Sequence, residues 1–138
     1  MKNSGSAALL AAVMAMSGCA MFGSVATHLS TSSTLPAAQG SVRYRVTKND
    51  NTGITLKVRH LAPPEKLLPP TSVYVVWTRD TKDAPAQNIG ALKVDENLNG
   101  ELDAETPLHS FELFITAEAS GQVQEPTGEN LLWTNYSR

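Results

Sequence analysis

From Gly40 to the carboxyl end, apolar residues recur at every second position in short runs, and turn-forming residues part those runs about every ten positions. A period of two suits a strand packed on one face and wetted on the other, and no helical period competes with it. Val42, Tyr44 and Val46 are expected to point one way and Arg43, Arg45 and Thr47 the other. After the turn residues Asn49, Asp50, Asn51, Thr52 and Gly53, the residues Ile54, Leu56 and Val58 alternate with Thr55, Lys57 and Arg59. This reads as the second arm of a hairpin. Arg43, Arg45, Lys57 and Arg59 then share a solvated face, a plainer reading of the cluster than a phosphate-binding site.

Pro63, Pro64, Pro69 and Pro70 remove too many amide donors for a paired strand, so Ala62 to Thr71 is expected to cross between sheets or over an edge. Val73 to Trp77 is apolar at every position, as in a central strand covered on both faces. Asp80 to Gln87 reads as a polar loop, Ile89 to Val94 as a strand, and Asn99-Gly100 as a type I′ hairpin turn with Leu102 in the returning arm. Phe111 to Ala117 and Asn130 to Asn135 complete about seven strands. The fold class is therefore all-β, an immunoglobulin-like antiparallel β-sandwich over residues 41–138. It lacks the Cys-Trp-Cys core, for Cys19 is the sole cysteine. Stability must come from apolar packing rather than a disulfide.

The first residues read differently. Lys2 supplies a positive start, Ala7 to Met16 an apolar run too short to span a bilayer, and Ser17-Gly18 the small residues before Cys19. Met16-Ser17-Gly18-Cys19 resembles the lipobox of a bacterial lipoprotein, with Met16 where Leu is usual. The resemblance implies a signal peptide over 1–18, cleavage between Gly18 and Cys19, and a thioether-linked diacylglycerol with a palmitate-type N-acyl chain on Cys19. Several acyl chains give stable membrane residence without protein contacts. Ala20, rather than Asp, implies outer-membrane sorting in a Gram-negative envelope. From Cys19 to Gly40 the chain is small, polar and turn-rich, as a flexible tether would be. Eleven Lys and Arg, with Lys2 in the leader, stand against thirteen Asp and Glu, a mildly acidic balance that argues against nucleic acid as a partner.

A second set of residues runs through the downstream half: Tyr74-x-x-Trp77, Gly90-x-Leu92-x-Val94-Asp95, Gly100, Thr106-Pro107-Leu108, Phe111, Thr116-x-Glu118 and Pro126-x-Gly128. Over about Leu56 to Leu132 this resembles the extracytoplasmic C-terminal domain of anti-sigma-K-type membrane regulators, a β-sandwich. The leader and tether stand here in place of that family's transmembrane helix and cytoplasmic segment, so the resemblance carries fold and no sigma-factor-binding residue. The same letters have structural readings: Gly90 and Gly100 serve turns, Trp77 and Phe111 the core, Pro126 a strand break.

For chemistry, Asp95, Asn97, Asn99 and Asp103 match the opening of a calcium loop, with Gly100 at position six and Leu102 at eight. Thr106 stands where a bidentate Glu should close the shell, and a solvated Asp/Asn turn explains the residues better. His28, His60 and His109 lie far apart and form no metal or catalytic motif, and the carboxylates are scattered, so neither an enzyme nor a cofactor is expected. Two readings remain. One is a structural or protein-interaction module meeting envelope partners through sheet faces or an edge. The other is a small-ligand or glycan binder using Tyr74, Trp133 and Tyr136, which fails if the tryptophans are interior and no concave apolar pocket exists.

Overall fold

The computed structural model describes residues 25–138; the leader, Gly18 and Cys19 lie outside them. Nine strands occur among the described residues: β1 (Thr27–His28), β2 (Ser30–Thr31), β3 (Gln39–Val46), β4 (Thr52–Arg59), β5 (Val73–Arg79), β6 (Gln87–Leu92), β7 (Gly100–Thr106), β8 (Ser110–Glu118) and β9 (Leu132–Ser137). They form two antiparallel sheets. Sheet A runs β1-β3-β4-β7 and sheet B runs β2-β9-β8-β5-β6. Strands β3 to β9 are the seven expected of an immunoglobulin-like sandwich, and β1 and β2 are additions at one edge of each sheet.

Register follows from which side chains seek the interior. In sheet A, Val42 lies opposite Leu56 and Leu56 opposite Leu102, while Ile54 lies opposite Tyr44 and Ala104. Val42, Ile54, Leu56 and Val58 are buried to 1% exposure or less. A one-residue slip would turn this whole set into water, which is why the pairing is fixed. From sheet B, Tyr74, Val76, Leu113, Ile115 and Leu132 meet them in one continuous core. Val46 departs from its expected inward position: it is 57% exposed, because β3 runs past the end of the core into the turn before β4.

The proline-rich stretch does carry the chain from sheet A to sheet B, around a single 3-10 turn at Pro64–Lys66. Thr71 donates from both its amide and its hydroxyl to the Pro64 carbonyl, so the crossover is pinned at its base.

Two expectations are corrected. The stretch read as a tether to Gly40 is folded from Thr27 onward: Thr27 and His28 pair with Val42 and Ser41, Ser30 and Thr31 with Trp133 and Leu132. Leu29, Leu35 and Ala38 are buried in the core, so three apolar residues in a Ser/Thr-rich segment suffice to seat it. The second concerns Asn99-Gly100, which is no two-residue hairpin turn. The turn spans Asp95 to Asn99, with Leu98 at a φ of 60°, and β6 and β7 on either side belong to different sheets. Gly90 and Gly100 serve close approach of the two layers. A Cβ on Gly90 would come within 2.9 Å of Leu102 and one on Gly100 within 2.8 Å of Leu92, and Gly90 also sits at a φ of 146°.

Candidate functional site

Each sheet has an outer face, and the two are built differently. On sheet A the outward residues form charge rows across the strands: Arg43 and Arg45 on β3, Lys57 and Arg59 on β4, Glu101, Asp103 and Glu105 on β7. All seven are exposed. Lys57 Nζ lies 3.5 Å from Glu101, Thr55 donates to Asp103 at 2.8 Å, and Arg45 reaches the Thr55 hydroxyl at 3.4 Å. Glu105 accepts from the Asn51 amide at 2.9 Å and the Thr47 hydroxyl at 3.0 Å; these bonds hold its carboxyl below the ordinary glutamate value, and Arg45 adds to the effect. The basic cluster is thus a solvated half-face bordered by an acidic edge strand.

The outer face of sheet B is dry at its centre. Trp77, Phe114 and Trp133 lie directly opposite one another on β5, β8 and β9 and make an aromatic row across three strands. Trp77 and Phe114 are stacked at 6.4 Å between ring centroids and are 1% exposed or less; Trp133 is half-buried. Val75, Ala86 and Val123 pack with them. At one end Arg79 pairs with Glu112 at 2.6 Å and places its guanidinium 4.6 Å from the Phe114 centroid.

The cover over this row is the chain's own segment between β8 and β9, residues 119–131, and it is latched by a buried carboxylate. Trp77 Nε1 donates to the Thr116 hydroxyl at 2.9 Å, and that hydroxyl donates to Glu118 at 2.6 Å. Glu118 also accepts from the Thr127 amide at 2.9 Å, the Gly128 amide at 3.3 Å and the Thr127 hydroxyl. Burial at 1% exposure pushes its carboxyl upward, and the bonds from Thr116, Thr127 and Gly128 outweigh that, so the net displacement is downward. Gly128 fits because a Cβ there would stand 2.8 Å from the Ala117 carbonyl oxygen. Asn88 on β6 ties the other side, donating to the carbonyls of Gly121 and Val123 at 3.0 and 2.9 Å.

Trp77, Thr116, Glu118 and Gly128, scattered in sequence, therefore meet in one hydrogen-bonded unit. Asn88 and Thr127 were not legible beforehand. The signal available was Thr116-x-Glu118, two polar residues on the side of β8 that also carries Phe114.

The proposed ligand-binding aromatics are not gathered. Tyr74 is fully buried on the inner side of sheet B and donates its hydroxyl to the Ala62 carbonyl at 2.6 Å. Burial first, and the charge of Glu65 second, push that hydroxyl up to about 12. Trp133 belongs to the outer aromatic row. Tyr136 packs in tilted contact with Tyr44, 4.0 Å between centroids, and with Phe111, 5.3 Å, near the opposite end of β9. Tyr44 itself is desolvated, and its hydroxyl is raised for that reason and by the neighbouring Tyr136.

Of the calcium-loop residues, Asp95 spends one carboxylate oxygen on the amides of Asn97 and Asn99, both at 2.9 Å. Asp103 lies on β7 and turns to Thr55. No group of three or more His, Cys, Asp or Glu side chains is gathered in metal-binding range among the described residues. His109 stands near Asp50, 3.5 Å from its carboxylate, while His28 and His60 lie elsewhere on the surface.

Two of the surface concavities border the 119–131 segment. A trough of about 600 Å³ runs beside β6, lined by Gln87, Asn88, Ile89, Gln122 and Gln124. A smaller groove of about 240 Å³ lies between the proline crossover and the 119–131 segment, lined by Leu67, Leu68, Pro69, Ala117 and Leu131. Leu68 is 93% exposed. No helix among the described residues is long and apolar enough to cross a membrane. No family model, curated protein or solved structure matches this chain.

Proposed function

We propose that this protein is a membrane-anchored bacterial lipoprotein whose β-sandwich is a non-catalytic module for protein interaction or a structural role in the cell envelope. Cys19 carries the lipid, and the sandwich displays its contacts on that anchor. The observation that carries the interaction reading is Leu68: an almost fully exposed leucine, framed by Pro69 and Pro70 on a crossover pinned through Thr71, beside an apolar groove. Leu68 does not stand alone: it continues the groove lined by Leu67, Pro69, Ala117 and Leu131, and a partner seated there would remove this joint apolar surface from water.

The test is crosslinking in intact envelopes followed by affinity purification of the full chain, with Leu68→Asp alongside. A reproducible partner recovered with the native chain and lost with Leu68→Asp, at an unchanged melting temperature, supports the reading. Equal recovery by both, or no partner at all, overturns it.

A further inference from the structure

We propose that the cationic half of the outer face of sheet A lies against the anionic headgroups of the membrane that holds the lipid anchor. The inference rests on the lipoprotein reading of Cys19 and adds to it an orientation. The folded body begins at Thr27, not near Gly40, so the stretch between Cys19 and the first strand is shorter than the 19–40 tether read from the sequence. Seven residue steps separate Cys19 from Ala26. Fully extended, they reach about 25 Å. A sandwich on so short a leash stays beside the bilayer, and the place where the leash joins it decides which surface faces the lipid.

That place is on the charged face. Thr27 lies opposite the core residue Val42, and His28 opposite the outward Ser41. Ala26 lines a small depression of about 140 Å³ together with Ser41, Arg43, Thr55 and Lys57. The chain therefore arrives over the half of sheet A that carries Arg43, Arg45, Lys57 and Arg59, all exposed. The anions Glu101, Asp103 and Glu105 sit on β7, the strand farthest across the sheet from β1. Cations close to an anionic surface are attracted and lose that attraction beyond a Debye length, about 8 Å at physiological ionic strength. The tether, with a reach of about three Debye lengths, lets the β1–β3–β4 half come within that range, where attraction between its cations and the headgroups holds it and turns the acidic edge away.

Lysine-by-lysine acetylation of the full-length acylated protein, reconstituted in vesicles, reads this orientation directly. Lys57 is compared with Lys82, in the loop after β5. In vesicles of phosphatidylethanolamine with phosphatidylglycerol, Lys57 is expected to react about five-fold more slowly than in neutral phosphatidylcholine vesicles, with Lys82 unchanged. High salt, or the paired change Arg43→Glu with Arg45→Glu on exposed positions, should return Lys57 to its neutral-vesicle rate. Equal Lys57 rates in the two lipids on an acylated protein overturn the orientation alone. Protection that follows protein density instead of lipid charge also overturns it, in favour of contact between copies. An intact mass showing Cys19 without acyl chains overturns the anchor and the orientation together.

Discussion

The outer faces of the two sheets start from the same backbone pattern and end in opposite states. On sheet A the outward side chains Thr55, Lys57, Arg59, Glu101, Asp103 and Glu105 are polar or charged and meet water and one another. On sheet B the outward residues Val75, Trp77 and Phe114 are as buried as the core, because residues 119–131 fold back over them. Alternation describes what a strand can bury, while a covering segment decides what it does bury. The cost of that cover is the carboxylate of Glu118, placed where apolar packing would otherwise run on. It is tolerable only because Thr116, Thr127 and Gly128 supply its hydrogen bonds.

Substitutions should separate the faces by magnitude. Trp77→Ala is expected to cost the most, about 4 kcal/mol, by opening a cavity between the cover and the sheet and by removing the donor that Thr116 accepts from. Urea unfolding followed by circular dichroism checks it; a loss under 1 kcal/mol would mean that the cover collapses onto the gap and that the face is less tightly built than its burial indicates. Glu118→Gln should follow at about 2–3 kcal/mol, since an amide cannot accept from all the donors now aimed at the carboxylate. Trp133 emission should shift to the red if the segment lifts.

The same latch sets a pH dependence. The Glu118 carboxyl sits below its unfolded value of about 4.3, so its contribution is complete above that pH and is lost as pH falls through the folded value. Between pH 6 and pH 3 the native chain should lose stability more steeply than Glu118→Gln, and parallel curves would detach the latch from the effect. The smallest change is expected on the wet face. Lys57→Ala should move stability by less than about 0.5 kcal/mol, since its pairing with Glu101 is exposed and screened. A larger loss there would erase the distinction between the two faces.

How much of this could be read in advance varies with the density of apolar residues. β3, β4, β5 and β8 were legible because Val42, Ile54, Leu56, Tyr74 and Phe111 recur at the right spacing, and so was the proline crossover, which cannot pair. β1 and β2 were not. Two-residue strands have no period, and Leu29, Leu35 and Ala38 do not stand out among serines and threonines. The turn before β7 misled because Asn-Gly favours a tight hairpin locally, whereas the contacts between Gly90 and Leu102 and between Gly100 and Leu92 that hold the two layers together are not local. The same limit hid the latch: Trp77, Glu118 and Thr127 meet only once β5, β8 and the following segment are side by side. Leu68 could not be foreseen as exposed, since an apolar letter beside prolines reads equally well as a buried staple.

The division of the first described strand has a mechanical consequence. Thr27–His28 are sewn to sheet A and Ser30–Thr31 to sheet B, with Leu29 sunk between them. A load arriving through the amino-terminal end meets the two residues of β1 on sheet A first, then Leu29 in the core, and only then β2 on sheet B, so the attachments yield in series and sheet B is loaded only after β1 and Leu29 have given way.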